Sequence, residues 1–328
     1  MAIDWEPLRK IIDGNRRFVL TSHVRPDADA LGSELGMEGL LRGLGKEVRI
    51  INASTVPARL QFLDPEKRCL QLGTDVTDEE ALDTDVHMIL DTSAWGQLAE
   101  VGRVFRKTNA IKVVVDHHAS SENLGAIDFK DITAEATGAL VFQLAEACGW
   151  TITPEIAMPL FCALATDTGW FRFPSVTANT LRICSRMIDA GAQPTLLYQQ
   201  LYERFTLGRV RLSGRVLSRV RMDCGGKLGS TYVRLDDYRE TGSEPADTED
   251  LVNECLTIEG TQAACIFIEQ TNTQIKVSFR SRVPLDVSRV AEQFQGGGHK
   301  QAAGAILPGP LQDAQAKVLA AMCAMLES

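Results

Sequence analysis

The sequence predicts an α/β protein, in which a doubly wound, mostly parallel sheet is joined by a long helical linker to a smaller mixed α/β domain. Apolar, β-branched runs alternate with helical patterns through the first half of the chain, and the pattern changes after residue 224. Such alternation is typical of parallel sheets with helices on both faces. We therefore place the first domain at residues 1–190, the linker at 191–224 and the second domain at 225–328.

Four short apolar runs predict the strands of the first domain: FVLTS at 18–22, EVRIIN at 47–52, VHMILD at 86–91 and IKVVVD at 111–116. Their length and their valine and isoleucine content favour buried strands. Helical patterns occupy 30–44, 135–148, 154–166 and 177–190. A single long helix is expected over 194–222, followed by strands in STYVRLD, AACIFIEQ and QIKVSFRSR with helices between and after them.

The composition indicates a folded protein without membrane spans. Apolar residues make up 45% and charged residues 23% of the 328 residues. A chain of this length is expected to bury about two cores. No apolar run has the length of a membrane span, and the start, MAIDWEPLRKIIDG, is amphipathic, unlike a signal peptide. We expect a cytoplasmic protein whose eight scattered cysteines, with no C-x-x-C pair, are reduced.

The net charge of −9 argues against binding of long duplex nucleic acid, which needs a basic face with many phosphate contacts. A small anionic ligand is compatible with this charge, because bound divalent cations reverse the local sign of an acidic pocket. One basic stretch, residues 204–221, carries six arginines and no acid. Salt bridges to an acidic protein surface explain it, and a wall for a nucleic-acid strand is the alternative.

Acidic and imidazole side chains follow three of the predicted strands at the point where each strand ends. In an open parallel sheet, ligands bind outside these carboxyl ends, so we expect the side chains to lie close together. The set comprises His23, Asp27 and Asp29 after the first strand, Asp91 after the third, Asp116, His117 and His118 after the fourth, and Asp167 at the end of a helical run.

Each of these groups, taken alone, is explained by a helix cap or a polar turn. Their coincidence at one predicted edge favours a metal site instead, because converging carboxylates repel each other unless cations lie between them. Carboxylates suit Mg²⁺ or Mn²⁺, and two imidazoles in an otherwise oxygen-rich site shift the preference toward Mn²⁺. The absence of cysteine from this set argues against structural zinc.

The motifs HVRPDADALGS, LDT, VDHH and ATDTG occur in this order, and FRSRVPLDVSRVAEQFQGGGHKQAAGA follows in the second domain. They resemble the motifs of the DHH phosphoesterase family and of its associated C-terminal domain, and together they cover nearly the whole chain. The layout is similar to that of stand-alone family members that act as exonucleases on very short RNA (nanoRNA) and as phosphatases on 3′-phosphoadenosine 5′-phosphate (pAp).

The resemblance implies two Mn²⁺ ions in each active site, with Mg²⁺ as a possible substitute. One ion would be held by His23, Asp27 and Asp91, and the other by Asp29, Asp91, His117 and Asp167, so that Asp91 bridges them. Asp116 would orient a ligand, and His118 would face the scissile phosphate. The chain departs from the family at Ala94-Trp95, where a further acid often follows the LDT motif.

The implied reaction is hydrolysis by in-line attack of a hydroxide shared by two cations about 3.5–4 Å apart. The second domain would select the substrate. Gly296, Gly297 and Gly298 leave the backbone free to approach an anion, and His299 and Arg280 match the family motifs there most closely. Arg172 lies beside the Asp167 motif, where contact with phosphate and simple surface exposure are equally good explanations.

The leading hypothesis is a Mn²⁺-dependent phosphoesterase that releases mononucleotides from short RNA and converts pAp to AMP. The alternative enzyme is a phosphodiesterase acting on cyclic (c-di-AMP) or linear dinucleotides, and the alternative of another class is an inactive nucleotide-binding regulator. A RecJ-type exonuclease would carry further nucleic-acid-binding domains, and a family pyrophosphatase would lack the GGGH motif. No membrane partner is expected, and a homodimer is compatible with the sequence.

Overall fold

The structure, a computed structural model, describes residues 3–327, with His299 described by its main chain alone. The chain divides after Glu203 into two compact units, each with its own sheet. This confirms the predicted α/β class and the two-domain arrangement. The division falls inside the expected linker, and the domain boundaries at 190 and 224 stay predictions.

The first unit is a parallel six-stranded sheet with the strand order β3-β2-β1-β4-β5-β6. The strands are β1 (Arg17–Thr21), β2 (Glu47–Asn52), β3 (Cys69–Gln71), β4 (Val86–Leu90), β5 (Ile111–Asp116) and β6 (Ile127–Lys130). The helices are α1 (Glu6–Gly14), α2 (Ala28–Gly43), α3 (Asp78–Leu82), α4 (Trp95–Lys107), α5 (Thr137–Cys148), α6 (Pro154–Asp167), α7 (Ala178–Asp189) and α8 (Pro194–Tyr202), with a 3₁₀ helix at Ala58–Leu63.

The order of this sheet creates a switch point between β1 and β4. The chain leaves β1 toward β2 on one side and later returns to β4 on the other, so the two strands are neighbours that feed helices in opposite directions. Crevices outside the carboxyl ends of such strands are where open α/β sheets bind ligands. The four sequence-predicted strands are all present, whereas the short strands β3 and β6 were not predicted, because three or four residues carry too little pattern.

Helix α2 packs closely against α6 and positions the start of α2 at this switch point. Nearly every residue of α2 is buried, including Gly32 and Gly36. A Cβ on Gly32 would overlap the carbonyl oxygen of Pro159, and a Cβ on Gly36 would overlap the side chain of Leu160. The two glycines therefore permit the close approach of the helices.

The second unit contains a mixed six-stranded sheet with the order β11-β12-β10-β9-β8-β7, in which only the β8–β9 pair is parallel. Its strands are β7 (Arg221–Asp223), β8 (Leu228–Val233), β9 (Ala263–Glu269), β10 (Gln274–Ser281), β11 (Gly297–His299) and β12 (Ala302–Pro308). Its helices are α9 (Leu207–Leu217), α10 (Leu235–Thr241), α11 (Leu251–Cys255), α12 (Ser288–Gln293) and α13 (Leu311–Glu327), with 3₁₀ helices at Cys224–Gly226 and Pro245–Thr248.

The prediction of one long helix over 194–222 is wrong. Helix α8 ends at Tyr202, and α9 begins at Leu207. The side chain of Thr206 caps α9 by accepting a hydrogen bond from the Arg209 N–H at 3.0 Å. A threonine in that position caps a new helix and so interrupts the apolar pattern that runs through both segments. The sequence contained this cap, but the surrounding periodicity masked it.

The arginine-rich stretch 204–221 forms salt bridges within the second unit. Arg219 lies 2.5 Å from Asp237, and Arg215 contacts both Asp237 and Glu240. Arg209 donates to the carbonyl oxygens of Asp247 and Glu249 at 2.8 and 2.7 Å. These contacts agree with salt bridging to an acidic surface rather than with a nucleic-acid wall for these arginines.

The expectation that every cysteine is reduced is wrong for two of the eight. Cys224 and Cys323, which are 99 positions apart in sequence, form a disulfide with Cα atoms 5.6 Å apart. The other six cysteines are free. Spacing along the chain gave no sign of this pair, because it joins the 3₁₀ helix Cys224–Gly226 to the distant last helix, α13. Within residues 3–327, no helix is both long enough and apolar enough to cross a bilayer.

We predict that Gly32→Ala lowers the stability of the first unit by about 1–3 kcal/mol, because the added methyl group meets a backbone oxygen and forces α2 and α6 apart. Urea unfolding followed by tryptophan fluorescence measures this directly, since all four tryptophans lie before residue 204. Gly43→Ala is the matched control on the same helix, with no atom near its Cβ. Equal unfolding midpoints for both variants would contradict the close packing.

Candidate metal centre

The carboxyl edge of the first sheet brings the predicted ligands together. Among the described residues, three overlapping groups have donor atoms within 4.8 Å of one another. They are His23, Asp27 and Asp91; Asp29, His117 and Asp167; and Asp91, His117 and His118. All six residues predicted to hold metal occur in these groups, and Asp91 and His117 belong to two of them.

Asp91 lies between two imidazoles and presents a different oxygen to each. Its Oδ2 is 3.5 Å from His23 Nε2, and its Oδ1 is 3.6 Å from His117 Nε2. The residue has a φ of 65°, which is uncommon for a residue other than glycine, and its side chain is 2% exposed. Residues held in such conformations cluster at active sites. The geometry suits a carboxylate shared between two cations.

His117 Nε2 points into the second group of acids. It lies 3.6 Å from Asp29 Oδ2 and 3.5 Å from Asp167 Oδ2. Its other ring nitrogen, Nδ1, is 3.2 Å from the Ala134 carbonyl oxygen, which can only accept a hydrogen bond. Nδ1 therefore donates to this oxygen, and Nε2 is the ring nitrogen that faces the acids.

The same arrangement occurs at His23. Its Nδ1 donates to the Val24 carbonyl oxygen at 3.1 Å, and its Nε2 lies 3.8 Å from Asp27 Oδ1. Metal-binding histidines usually donate their second N–H to a carbonyl or carboxylate, which fixes the ring and the tautomer. Both imidazoles thus have the donor set that a cation needs.

The N-terminus of α5 holds two of the acids. The N–H groups of Thr137 and Gly138 donate to Asp29 at 2.8 and 2.9 Å, and the Thr137 hydroxyl donates to Asp91 Oδ1 at 2.9 Å. Helix N-termini stabilise negative charge. Sequence reasoning missed Thr137. The available signal was Ala136, whose side chain cannot cap α5 and so leaves the first N–H groups of the helix for another acceptor.

Asp27 has both roles that its motif allows. One oxygen accepts hydrogen bonds from the N–H groups of Asp29 and Ala30, each at 3.0 Å, and so caps the start of α2. The same oxygen lies 3.8 Å from His23 Nε2. The cap fixes the carboxylate where it can also contribute to the first donor group.

Asp116 lies outside the three donor groups and contacts His118 instead. Its Oδ1 accepts hydrogen bonds from the His118 N–H at 3.1 Å and from His118 Nδ1 at 2.8 Å. Ser93 and Lys130 contact the other oxygen. Burial opposes its ionisation, but the hydrogen bonds from His118 and Ser93 outweigh that effect and lower the pKa of Asp116. The carboxylate therefore accepts a hydrogen bond from Nδ1–H, and Nε2 is the ring nitrogen that can bind another partner.

The electrostatics of the site favour bound cations. Burial and the neighbouring charge of Asp29 raise the pKa of Asp91 well above its usual range, and burial, with the charges of Asp29 and Asp27, raises the pKa of Asp167 to about 8. Without a cation, these carboxylates cannot all be ionised at neutral pH. A divalent cation removes this conflict, so the residues present fit the metal that the sequence implies.

The predicted substrate residues are more dispersed. Arg172, an exposed residue, donates from Nε to the Gly169 carbonyl oxygen at 2.7 Å and belongs to no donor group. In the second unit, Arg280 lines a cavity of about 350 Å³ together with Lys276 and Ser278, and its Nη2 is 3.6 Å from Asp250. The predicted contacts of the His299 side chain lie outside the described residues.

The glycine run before His299 has a structural explanation in part. A Cβ on Gly296 would overlap the Gly304 carbonyl oxygen, and one on Gly298 would crowd the backbone of Ala302 and Ala303. These two glycines permit the close pairing of β11 with β12. No atom lies within 4 Å of a Cβ placed on Gly297, so that position alone leaves open space for an approaching group.

We predict that the metal-free protein loses stability as pH rises from about 5 to 8. Asp167 binds its proton more tightly when folded than when unfolded, so its contribution is present below pH 4 and is lost as pH passes through the folded pKa of about 8. Thermal unfolding with and without Mn²⁺ measures this, and the shift on adding Mn²⁺ is expected to be larger at pH 8 than at pH 5.

Asp167→Asn is expected to flatten this dependence on pH, and Asp189→Asn, at the exposed end of α7, is the matched control that leaves it unchanged. A melting temperature that is constant or rises over the same range in metal-free protein would contradict the crowding of carboxylates.

Comparison with known proteins identifies relatives over the whole chain. Residues 17–164 match the DHH family, N-terminal domain, and residues 225–328 match the DHHA1 domain. A Thermus thermophilus protein named bifunctional oligoribonuclease and PAP phosphatase NrnA is 31% identical over 97% of this chain and 94% of its own length. A Bacillus subtilis protein with the same name is 28% identical over 88% of each chain.

Solved structures show the same architecture. An exopolyphosphatase-related protein from Bacteroides fragilis superposes with a TM-score of 0.91 at 26% identity, covering 99% of this chain and 97% of that one. Exonuclease RecJ bound to manganese has a TM-score of 0.57 at 16% identity, covering 99% and 95%, and shares the fold. The motifs at the sheet edge and these matches across both units lead to one conclusion: the chain belongs to the DHH family and carries a DHHA1 domain in its second unit.

Proposed function

We propose that this protein is a Mn²⁺-dependent phosphoesterase of the cytoplasm, which hydrolyses short RNA oligonucleotides to mononucleotides and dephosphorylates pAp to AMP. The observation that carries the proposal is the position of Asp91, with one oxygen 3.5 Å from His23 and the other 3.6 Å from His117. The names of the relatives that match over most of the chain support the two substrates.

Two cations would be held as the donor groups are arranged. His23, Asp27 and Asp91 would hold one, and Asp29, Asp91, His117 and Asp167 the other. Bound divalent cations would neutralise charge on the phosphate and lower the pKa of the attacking water. Imidazole and carboxylate donors together favour Mn²⁺, with Mg²⁺ as the weaker substitute.

The residues around the donor groups position the substrate and a proton. His118 is 45% exposed, and its hydrogen bond to Asp116 raises the pKa of its imidazole. Because Nδ1 is occupied by Asp116, Nε2 is the atom that binds a phosphate oxygen or gives a proton to the leaving oxygen. The hydrogen bond to the buried Asp116 holds the ring of His118 in this orientation.

The remaining predicted substrate contacts are part of the proposal. Arg280 would bind a substrate phosphate, because a guanidinium group suits phosphate oxygens. Its Nη1 donates to the Phe279 carbonyl oxygen at 3.0 Å, whereas its Nη2 lies 3.6 Å from Asp250, beyond hydrogen-bond distance. The open position at Gly297 would let backbone N–H groups approach the same anion, with His299 beside it. Arg172 would add a further phosphate contact.

We predict that purified protein with Mn²⁺ hydrolyses a dinucleotide RNA and pAp, and that Asp91→Ala lowers kcat for both by at least about 1,000-fold, because a carboxylate shared by two donor groups is lost. Release of mononucleotides measures hydrolysis of the RNA, and release of inorganic phosphate measures conversion of pAp to AMP. Asp189→Ala, on the exposed end of α7, is the control that keeps full activity.

The same panel includes c-di-AMP. Faster hydrolysis of c-di-AMP than of either other substrate would overturn the proposed specificity in favour of a cyclic-dinucleotide phosphodiesterase. Nucleotide binding without hydrolysis of any member would instead indicate a regulator. Activity that survives Asp91→Ala would remove the two-cation site from the reaction.

We predict that Arg280→Ala raises KM for pAp by about 10-fold or more and changes kcat by less than about threefold, because charge-assisted hydrogen bonds to a phosphate contribute mainly to binding. Steady-state kinetics with pAp separates the two constants. Arg289→Ala is the matched control, since Arg289 is exposed on α12 of the same unit and pairs with Asp286 at 3.7 Å. An unchanged KM in Arg280→Ala would exclude this arginine from substrate binding.

A further inference from the structure

Lys130 occupies a position that the proposed reaction does not explain. It is the last residue of β6, and its side chain is only 15% exposed. Its ammonium group lies 2.9 Å from Asp116 Oδ2, 2.9 Å from the Ser93 hydroxyl and 2.6 Å from the Ser120 carbonyl oxygen. A lysine buried to this degree needs partners for its charge and its protons, and this one has three acceptors.

The two oxygens of Asp116 divide their partners. Oδ1 accepts both hydrogen bonds from His118, while Oδ2 accepts those from Ser93 and Lys130. The side chain of Asp116 is fully buried, so its charge is costly unless an opposite charge lies close to it. Lys130 supplies that charge on the side away from His118.

This division has a consequence for the imidazole. Lys130 and Ser93 hold Oδ2, so the carboxylate of Asp116 cannot rotate freely and presents Oδ1 to the imidazole. His118 Nδ1 lies 2.8 Å from that oxygen, which can only accept a hydrogen bond while Asp116 is ionised. The contacts on Oδ2 therefore fix the partner of Nδ1 and leave Nε2 directed away from Asp116.

We propose that Lys130 is a positioning residue, which acts through Asp116 to fix the orientation and the Nδ1–H tautomer of His118 toward the substrate. The inference rests on the proposed function for its kinetic consequence, but its structural content is independent of which phosphoester is cleaved. Within residues 3–327, the hydrogen bonds and the ion pair of Lys130 are formed with Ser93, Ser120 and Asp116, and none is formed with the six residues proposed to hold the cations.

A purely structural role is the competing explanation. Lys130 donates to the Ser120 carbonyl oxygen and so attaches the segment after His118 to the end of β6. The Glu122 N–H in the same segment donates to the Ser93 carbonyl oxygen at 2.8 Å. Loss of this tie would disturb the fold locally and would affect metal binding, stability and activity together. A positioning role would affect kcat alone.

The kinetic test compares Lys130→Met, which removes the charge at similar length, with Lys130→Arg, which keeps it. Lys112→Met on the neighbouring strand β5 is the matched control. We expect Lys130→Met to lower kcat for pAp by about 10- to 100-fold, the usual effect of removing a group that orients a metal-site residue. KM and the Mn²⁺ dissociation constant, followed by electron paramagnetic resonance of free Mn²⁺, change by less than about threefold.

Lys130→Arg is expected to keep kcat within about threefold of the unchanged protein. The inference is overturned if Lys130→Met keeps its kcat, or if Lys130→Met and Lys130→Arg both lose kcat, Mn²⁺ affinity and thermal stability in parallel. The second result would identify a structural tie.

A second measurement does not depend on turnover. Nitrogen-15 NMR of the histidine rings in the metal-free full chain, with His118→Gln used to assign the signals, reports which nitrogen of His118 carries the proton. We expect the Nδ1–H form in the unchanged protein and a mixture of forms in Lys130→Met. An Nε2–H form in the unchanged protein would overturn the inference. If no substrate is hydrolysed, the proposed function fails, and the NMR result still decides the role of Lys130.

Discussion

The whole first unit is organised around one electrostatic conflict, the convergence of buried carboxylates at the carboxyl edge of a parallel sheet. Asp29 and Asp91 are each 2% exposed, and His117 Nε2 lies 3.6 Å from an oxygen of both. Such an arrangement is unfavourable in a protein without compensating positive charge. The fold provides part of it from the N-terminus of α5. In the metal-free protein the raised pKa values of Asp91 and Asp167 relieve the rest of the conflict, and a bound cation would relieve it with all the carboxylates ionised.

The sheet order explains how residues distant in sequence reach this edge. β1, β4 and β5 are adjacent, so the residues that follow them emerge side by side. Helix α2 then starts at the end of β1, and α6 ends beside it because Gly32 and Gly36 let the two helices approach. Asp167 therefore reaches the acids from a helix rather than from a strand. Close helix packing, and not the sheet alone, delivers the last member of the group.

Sequence reasoning found the strands that carry the site and the acids and imidazoles at their ends, because strand alternation and the carboxyl-edge rule both act over short distances in sequence. It missed the groups that stabilise them. Thr137 and Lys130 meet their partners only through tertiary contacts, 46 and 14 positions from Asp91 and Asp116 in sequence. The Cys224–Cys323 disulfide, which joins residues 99 positions apart in one unit, was missed for the same reason. The break between α8 and α9 is a local signal, but the apolar periodicity on both sides outweighed Thr206.

The contrast between Asp91 and Asp116 shows how the chain separates two roles that one residue type can have. Both carboxylates are almost completely buried at the ends of neighbouring strands. Asp116 receives hydrogen bonds on both oxygens and the charge of Lys130, and its pKa is lowered despite its burial. Asp91 accepts one hydrogen bond, from the Thr137 hydroxyl, and lies near two imidazoles. Its burial and the nearby charge of Asp29 raise its pKa. The protein itself thus balances the charge of the carboxylate that orients His118. It leaves unbalanced the carboxylate that a cation is expected to bind, and this difference in compensation distinguishes an orienting acid from a ligand.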